Sequence, residues 1–108
     1  MKNSASNPKD LSPAALAWFK RLRTDHEISD HAGLMILESA VRCFDRAEAA
    51  RREIDTHGVL IVDRWEQRKP NPACAIERDA RAGMLAALRA LNLDLEPLHD
   101  RPGRPGGS

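Results

Sequence analysis

The sequence predicts a mainly α-helical fold: a short N-terminal helix, then two long helices joined by a small β-hairpin or extended loop, ending in a disordered basic tail. Three observations carry this reading. Residues 30–56 hold apolar side chains at helical spacing, closed by Gly58. Ser12-Pro13 and Asn71-Pro72 each pair a capping side chain with a proline suited to the first helical turn. Val59-Leu60-Ile61-Val62 is the one clear strand signal, β-branched and directly after the glycine. With 108 residues, 42% apolar and 31% charged, the chain suits one domain and is too apolar to be wholly disordered. Only 4% of residues are aromatic and none is Tyr, so a large compact core is not expected.

Residues 1–11 read as a flexible arm of Asn, Ser, Pro and Lys without periodicity. The first helix, about 13–23, carries Leu16, Phe19 and Leu22 on one side with Trp18 beside them. Lys20, Arg21 and Arg23 fall in its last turn, where they suit either the helix dipole or a phosphate-binding patch. Ser29 or Asp30 caps a second helix running to about Thr56, roughly 40 Å at 1.5 Å per residue. Its apolar residues fill an arc of roughly 200°, among them Ala32, Leu34, Ile36, Leu37, Ala40, Val41, Cys43, Phe44, Ala47 and Ile54. One partner helix covers about half such an arc, so neighbours on two sides are expected.

After the strand, Asp63–Lys69 returns as a second strand or stays a loop, and a hairpin is the preferred reading. Trp65, between Arg64 and Arg68, could stack on a base, but a tryptophan there more commonly covers the hairpin's own apolar face. The third helix, about 73–92, has a main stripe of Ile76, Ala80, Met84, Ala87, Leu88 and Leu91. A second stripe, Ala75, Ala82, Ala86 and Ala90, is small enough to admit another subunit. The helical domain is placed at 12–97 and the Pro/Gly-rich tail at 98–108.

No catalytic residues emerge. Gly-rich phosphate loops and nucleophile elbows are absent from the sequence, and carboxylates pair with arginines at i, i+4, as in Glu38/Arg42 and Glu48/Arg52. Four histidines and two cysteines show no metal-ligand spacing, so neither metal nor cofactor is expected. Cys43 and Cys74 read as small buried hydrophobes. No apolar run reaches a membrane span and the N-terminus lacks a signal-peptide core, which suggests a soluble intracellular protein without membrane contact.

The order of these pieces resembles the small terminase subunits of tailed bacteriophages. Leu11-Ser12 opens a short helix with Trp18, and a long helix ends at His57-Gly58-Val59. An irregular stretch then closes at Asn71-Pro72, followed by a helix and Leu91-Asn92-Leu93-Asp94-Leu95-Glu96-Pro97. The likeness covers about residues 11–97. It departs from the family in two ways: Asn92 stands where the closing motif usually has Gly, with Pro97 two residues late, and no room remains for a separate helix-turn-helix domain.

The resemblance implies a non-enzymatic subunit that assembles as a ring homo-oligomer in the host bacterial cytoplasm. It would bind double-stranded viral DNA at the packaging site, deliver it to the large terminase subunit, and modulate that subunit's ATPase and nuclease. A net charge of +1 makes a polycation impossible, yet a ring multiplies any local patch. Residues 1–24 hold five cations and one acid, whereas residues 25–57 hold four cations and eight acids. The expected DNA contacts are therefore Lys20, Arg21 and Arg23, then Arg64, Arg68 and Lys69, with Arg42 and Arg46 as a third group. The expected oligomer interface is Leu34, Leu37, Val41 and Phe44 with Ala75, Ala82 and Ala86.

Two other readings stand beside it. A helical module that regulates a partner without touching DNA would use the same apolar faces. A small helix-turn-helix dimer would need a short exposed reader, and the helix after residues 24–29 is too long and apolar for that.

Overall fold

The computed structural model describes residues 7–93. It is mainly helical: α1 (Pro13–Asp25), α2 (His31–His57), β1 (Leu60–Val62), β2 (Arg68–Pro70) and α3 (Pro72–Ala90) follow in order. The outer part of the arm, the end of the Leu91–Pro97 motif and the Pro/Gly-rich tail lie outside the described residues.

Local chemistry fixes each helix start. The Ser12 hydroxyl accepts from the Ala15 amide at 3.0 Å, with Pro13 in the first turn. Asp30 is the cap of α2, its carboxylate accepting from the Gly33 amide at 2.9 Å. That close turn requires glycine: a Cβ at Gly33 would lie 2.8 Å from Asp30 Oδ1 and 2.9 Å from Ile28 Cγ2. Asn71 caps α3 through the Ala73 amide at 3.0 Å. At the other ends, Gly58 closes α2 with φ 88°. The third helix stops at Ala90, two residues short of expectation, because Asn92 takes the left-handed region at φ 58°. Glycine and asparagine are the two residues that tolerate this position best, so Asn92 does here what a glycine would do.

Helix α1 folds back along the N-terminal half of α2, tied at its start by Asp45, which accepts from both the amide and the hydroxyl of Ser12. Helix α3 returns antiparallel along α2 from the hairpin. The wide apolar arc of α2 therefore finds both of its neighbours within the chain. Ala15, Phe19, Leu37 and Val41 form the buried centre, with Leu11, Leu22, Ile28, Leu34, Phe44 and Leu91 packed around it.

This core is thin. Six of its nine buried apolar residues are alanines, and Leu37 is the only large side chain fully enclosed among the described residues. Alanine contacts let α2 and α3 run close together but bury little area per residue. Ile76, expected on the buried stripe, is 46% exposed, because Ala73, Ala80, Met84 and Leu91 define the line facing α2 and Ile76 sits at its edge. Both cysteines are half-buried rather than enclosed.

The hairpin is a two-stranded antiparallel sheet with Leu60 opposite Pro70, Ile61 opposite Lys69 and Val62 opposite Arg68. Leu60 and Val62 share one face and are exposed, and Ile61 on the other is half-buried.

Candidate nucleic-acid interface and oligomer faces

The expected DNA contacts fall into groups that the fold separates. Lys20 and Arg21 are exposed on α1, and Arg23 borders a cleft with His31 and Leu34 at the N-terminal end of α2. Arg64, Arg68 and Lys69 lie on the hairpin beyond Gly58, all exposed. Twenty-four residues of helix separate Leu34 from Gly58, about 35 Å at 1.5 Å per residue. The two basic groups thus mark opposite ends of the long helix rather than one patch.

Arg42, of the third group, is partly engaged within the protomer. Its Nε donates to Glu38 Oε2 at 2.8 Å, and its Nη2 donates to the Lys9 carbonyl at 3.0 Å. Its guanidinium holds the end of the N-terminal arm against α2, and its three remaining N–H donors stay open on a side chain 40% exposed. Arg46, one turn on, is exposed and forms no ion pair among the described residues. Lys20, Arg21, Arg64, Arg68 and Lys69, all exposed, and the half-buried Arg23 likewise form no ion pair among the described residues. Other cations are engaged along the helices, Arg81 with Glu77 at 2.6 Å and His57 with Glu53 at 2.7 Å.

Trp65 corrects an expectation. It does not cover the hairpin's apolar face but stands 66% exposed at the tip, with the Arg64 guanidinium carbon 4.5 Å from its ring centroid. The strands are three residues long, so a side chain in the connecting loop projects past any sheet surface it could lean on. Trp18, 45% exposed on α1, has Arg21 over its ring at 5.9 Å.

Of the expected oligomer residues, Leu37 and Val41 are 0% and 3% exposed because α1 covers them within the protomer. They cannot also meet another copy without unfolding this one. Leu34 and Phe44 are half-buried against the same core. Ala75, Ala82 and Ala86 are exposed, on the face of α3 turned away from α2. Leu85, 42% exposed, flanks them.

Sequence reasoning missed three features. An apolar groove of about 270 Å³ opens beside α1, lined by Trp18, Leu22, Phe44, Met84 and Leu88. It joins residues from three helices, which no local pattern reveals. Asn71 does more than cap: its Nδ2 donates to the Gly58 carbonyl at 2.8 Å and its amide to the Val59 carbonyl at 2.8 Å, clasping the hairpin's base. Asp63 organises the hairpin loop, and the backbone N–H of Gln67, then that of Trp65, with Lys69 nearby, hold its carboxyl below the usual range. An aspartate just before a turn was its available signal.

Among the described residues there is no cluster of His, Cys, Asp and Glu fit to hold a metal ion, and no helix long and apolar enough to cross a membrane. In comparison with known proteins, the chain matches no family model, no curated protein and no solved structure.

Proposed function

We propose that this chain is a small terminase subunit of a tailed bacteriophage. In this reading it assembles as a ring homo-oligomer in the host bacterial cytoplasm and binds viral DNA at the packaging site. It then delivers that DNA to the large terminase subunit and modulates its ATPase and nuclease. The protein itself does no catalysis.

One observation supports this reading above the others: the apolar surface points the wrong way for a monomer. Trp18, Met35, Val59, Leu60, Val62, Trp65, Ile76 and Leu85 are all at least 42% exposed, against a single large side chain fully enclosed among the described residues. Of these, Trp18 lines the groove and Leu85 flanks the alanine stripe, so these two mark where another chain would dock. The open Ala75–Ala82–Ala86 stripe offers one face and the groove beside Trp18 a different one. Two unlike faces make a heterologous interface, which closes into a ring when its rotation allows. Each added copy then repeats the free cations at both ends of α2, giving a subunit of net charge +1 a positive rim.

The groove also favours a second reading. A cleft of this size and apolar lining would accept one face of a partner's helix, as a regulatory module without DNA contact would require. Salt-dependent binding to duplex DNA separates the two. Replacing Lys20, Arg21 and Arg23 together by Ala should weaken DNA binding. It should also flatten the log–log salt slope, by up to about 0.9 for each phosphate that these side chains neutralise. A wild-type protein that binds no duplex at low salt, yet alters the large subunit's ATPase, would favour the regulatory module.

A further inference from the structure

The loop joining the two strands holds its shape without help from the rest of the molecule. Asp63 Oδ1 accepts from the amides of Trp65 and Gln67, each at 2.9 Å. The Asp63 amide donates to the Gln67 carbonyl and the Glu66 amide to the Asp63 carbonyl, also at 2.9 Å. Glu66 adopts φ 62°, the left-handed conformation that lets five residues reverse direction. Four hydrogen bonds within Asp63–Gln67 thus fix a tip whose outermost side chains are Arg64 and Trp65. A large indole held 66% exposed on a preformed loop loses hydration but little conformational freedom when something covers it.

The chemistry around it narrows what that cover is. Arg64, Arg68 and Lys69 are exposed within five residues of Trp65 and form no ion pair among the described residues. The Asp63 carboxylate is turned into the loop's own amides, which leaves Glu66 as the one outward acid of the tip. Protein interfaces enrich Trp and Arg, but their cores are depleted in charge overall and in lysine in particular. Cations flanking a flat aromatic surface instead suit a polyanion with stacked rings inside it. A two-stranded ribbon is also narrow enough to enter a groove of duplex DNA.

We propose that the Asp63–Lys69 tip is a DNA-contacting finger: Trp65 packs against base or deoxyribose surface within a groove, and Arg64, Arg68 and Lys69 take the flanking phosphates. This rests on the DNA-binding reading above and makes the far end of α2, rather than α1 alone, a point of contact. In a ring, the finger is repeated once per subunit.

Trp18 and Trp65 are the only tryptophans, so Trp18→Phe in the full chain makes Trp65 the sole indole reporter. That protein is titrated with a fluorescently labelled duplex of about three helical turns, following DNA anisotropy and Trp65 emission together. The finger predicts quenching of Trp65 that saturates with the anisotropy. Trp65→Ala should bind roughly tenfold more weakly with an unchanged salt slope, since apolar packing rather than charge is removed, and Trp65→Phe should restore most of the affinity. Arg68→Ala with Lys69→Ala should reduce the slope itself. Should Trp18→Phe fail to assemble, the emission difference between wild type and Trp65→Phe reads the same signal.

DNA binding with Trp65 emission and Trp65→Ala affinity both unchanged would overturn the finger and leave the DNA-binding reading standing. No binding by the wild type would overturn both. Trp65 emission that responds to the large terminase subunit but not to DNA would overturn the finger in favour of a protein contact.

Discussion

Asn71 is 4% exposed, and its side chain uses both ends. Oδ1 starts α3 while Nδ2 holds the Gly58 carbonyl where α2 stops, so one residue joins two helices across the base of the hairpin. Replacing it by Ala removes the cap and leaves the Gly58 carbonyl without its donor; about 1–3 kcal/mol of stability should be lost in urea unfolding. Asn71→Asp keeps the cap but sets a carboxylate oxygen against the Gly58 carbonyl in a site only 4% exposed, so at neutral pH it should lose at least as much as Asn71→Ala. Asp63 makes a different residue-scale prediction. Its carboxyl is held below the ordinary value of 3.8 by the Gln67 and Trp65 amides and by Lys69. A lowered folded pKa means that the carboxylate's support of the loop is complete above about pH 4. It is lost as pH falls through the lowered value. Trp65 emission in the Trp18→Phe protein should therefore hold steady from neutral pH to about pH 4 and change below it. A transition centred near neutral pH would contradict this origin.

Among the elements, what was legible in the sequence is what local chemistry decides. Ser12-Pro13, Asp30 and Asn71-Pro72 declare helix starts and Gly58 declares a stop, because each acts on backbone groups within a turn of itself. The apolar pattern alone, by contrast, runs α3 on to about residue 92, past its end at Ala90. The hairpin followed from the β-branched run after Gly58. What no local pattern decides is which apolar face meets which. The arc of α2 had the width for two neighbours, yet only the three-dimensional path shows that α1 and α3 supply them and enclose Leu37 and Val41. The pair of Arg42 with Glu38 is local, but the Lys9 carbonyl that Arg42 also holds lies 33 positions away. The stripe Ala75, Ala82 and Ala86 survives as an open face, which permits a prediction at this scale. Ala82→Arg should leave the protomer's stability within about 0.5 kcal/mol, as for most surface changes, while blocking close approach of a second copy. Its assembly would then shift to smaller species in sedimentation velocity.

The whole molecule is a long helix flanked at one end by α1, along much of its length by α3, and tipped at the other end by the hairpin. A core of nine buried apolar residues, six of them alanines, contributes modest hydrophobic stabilisation, and the exposed Trp18, Met35, Ile76 and Leu85 of the helices remain to be covered. Assembly would cover them and gather the separated basic ends into continuous rims, so that oligomerisation and DNA binding become parts of one design. The terminase reading depends on that assembly more than on any single residue. Native mass spectrometry of the purified protein at low and moderate salt tests it most directly. The account predicts one closed species well above a tetramer at both salts; a monomer or dimer at both would contradict it.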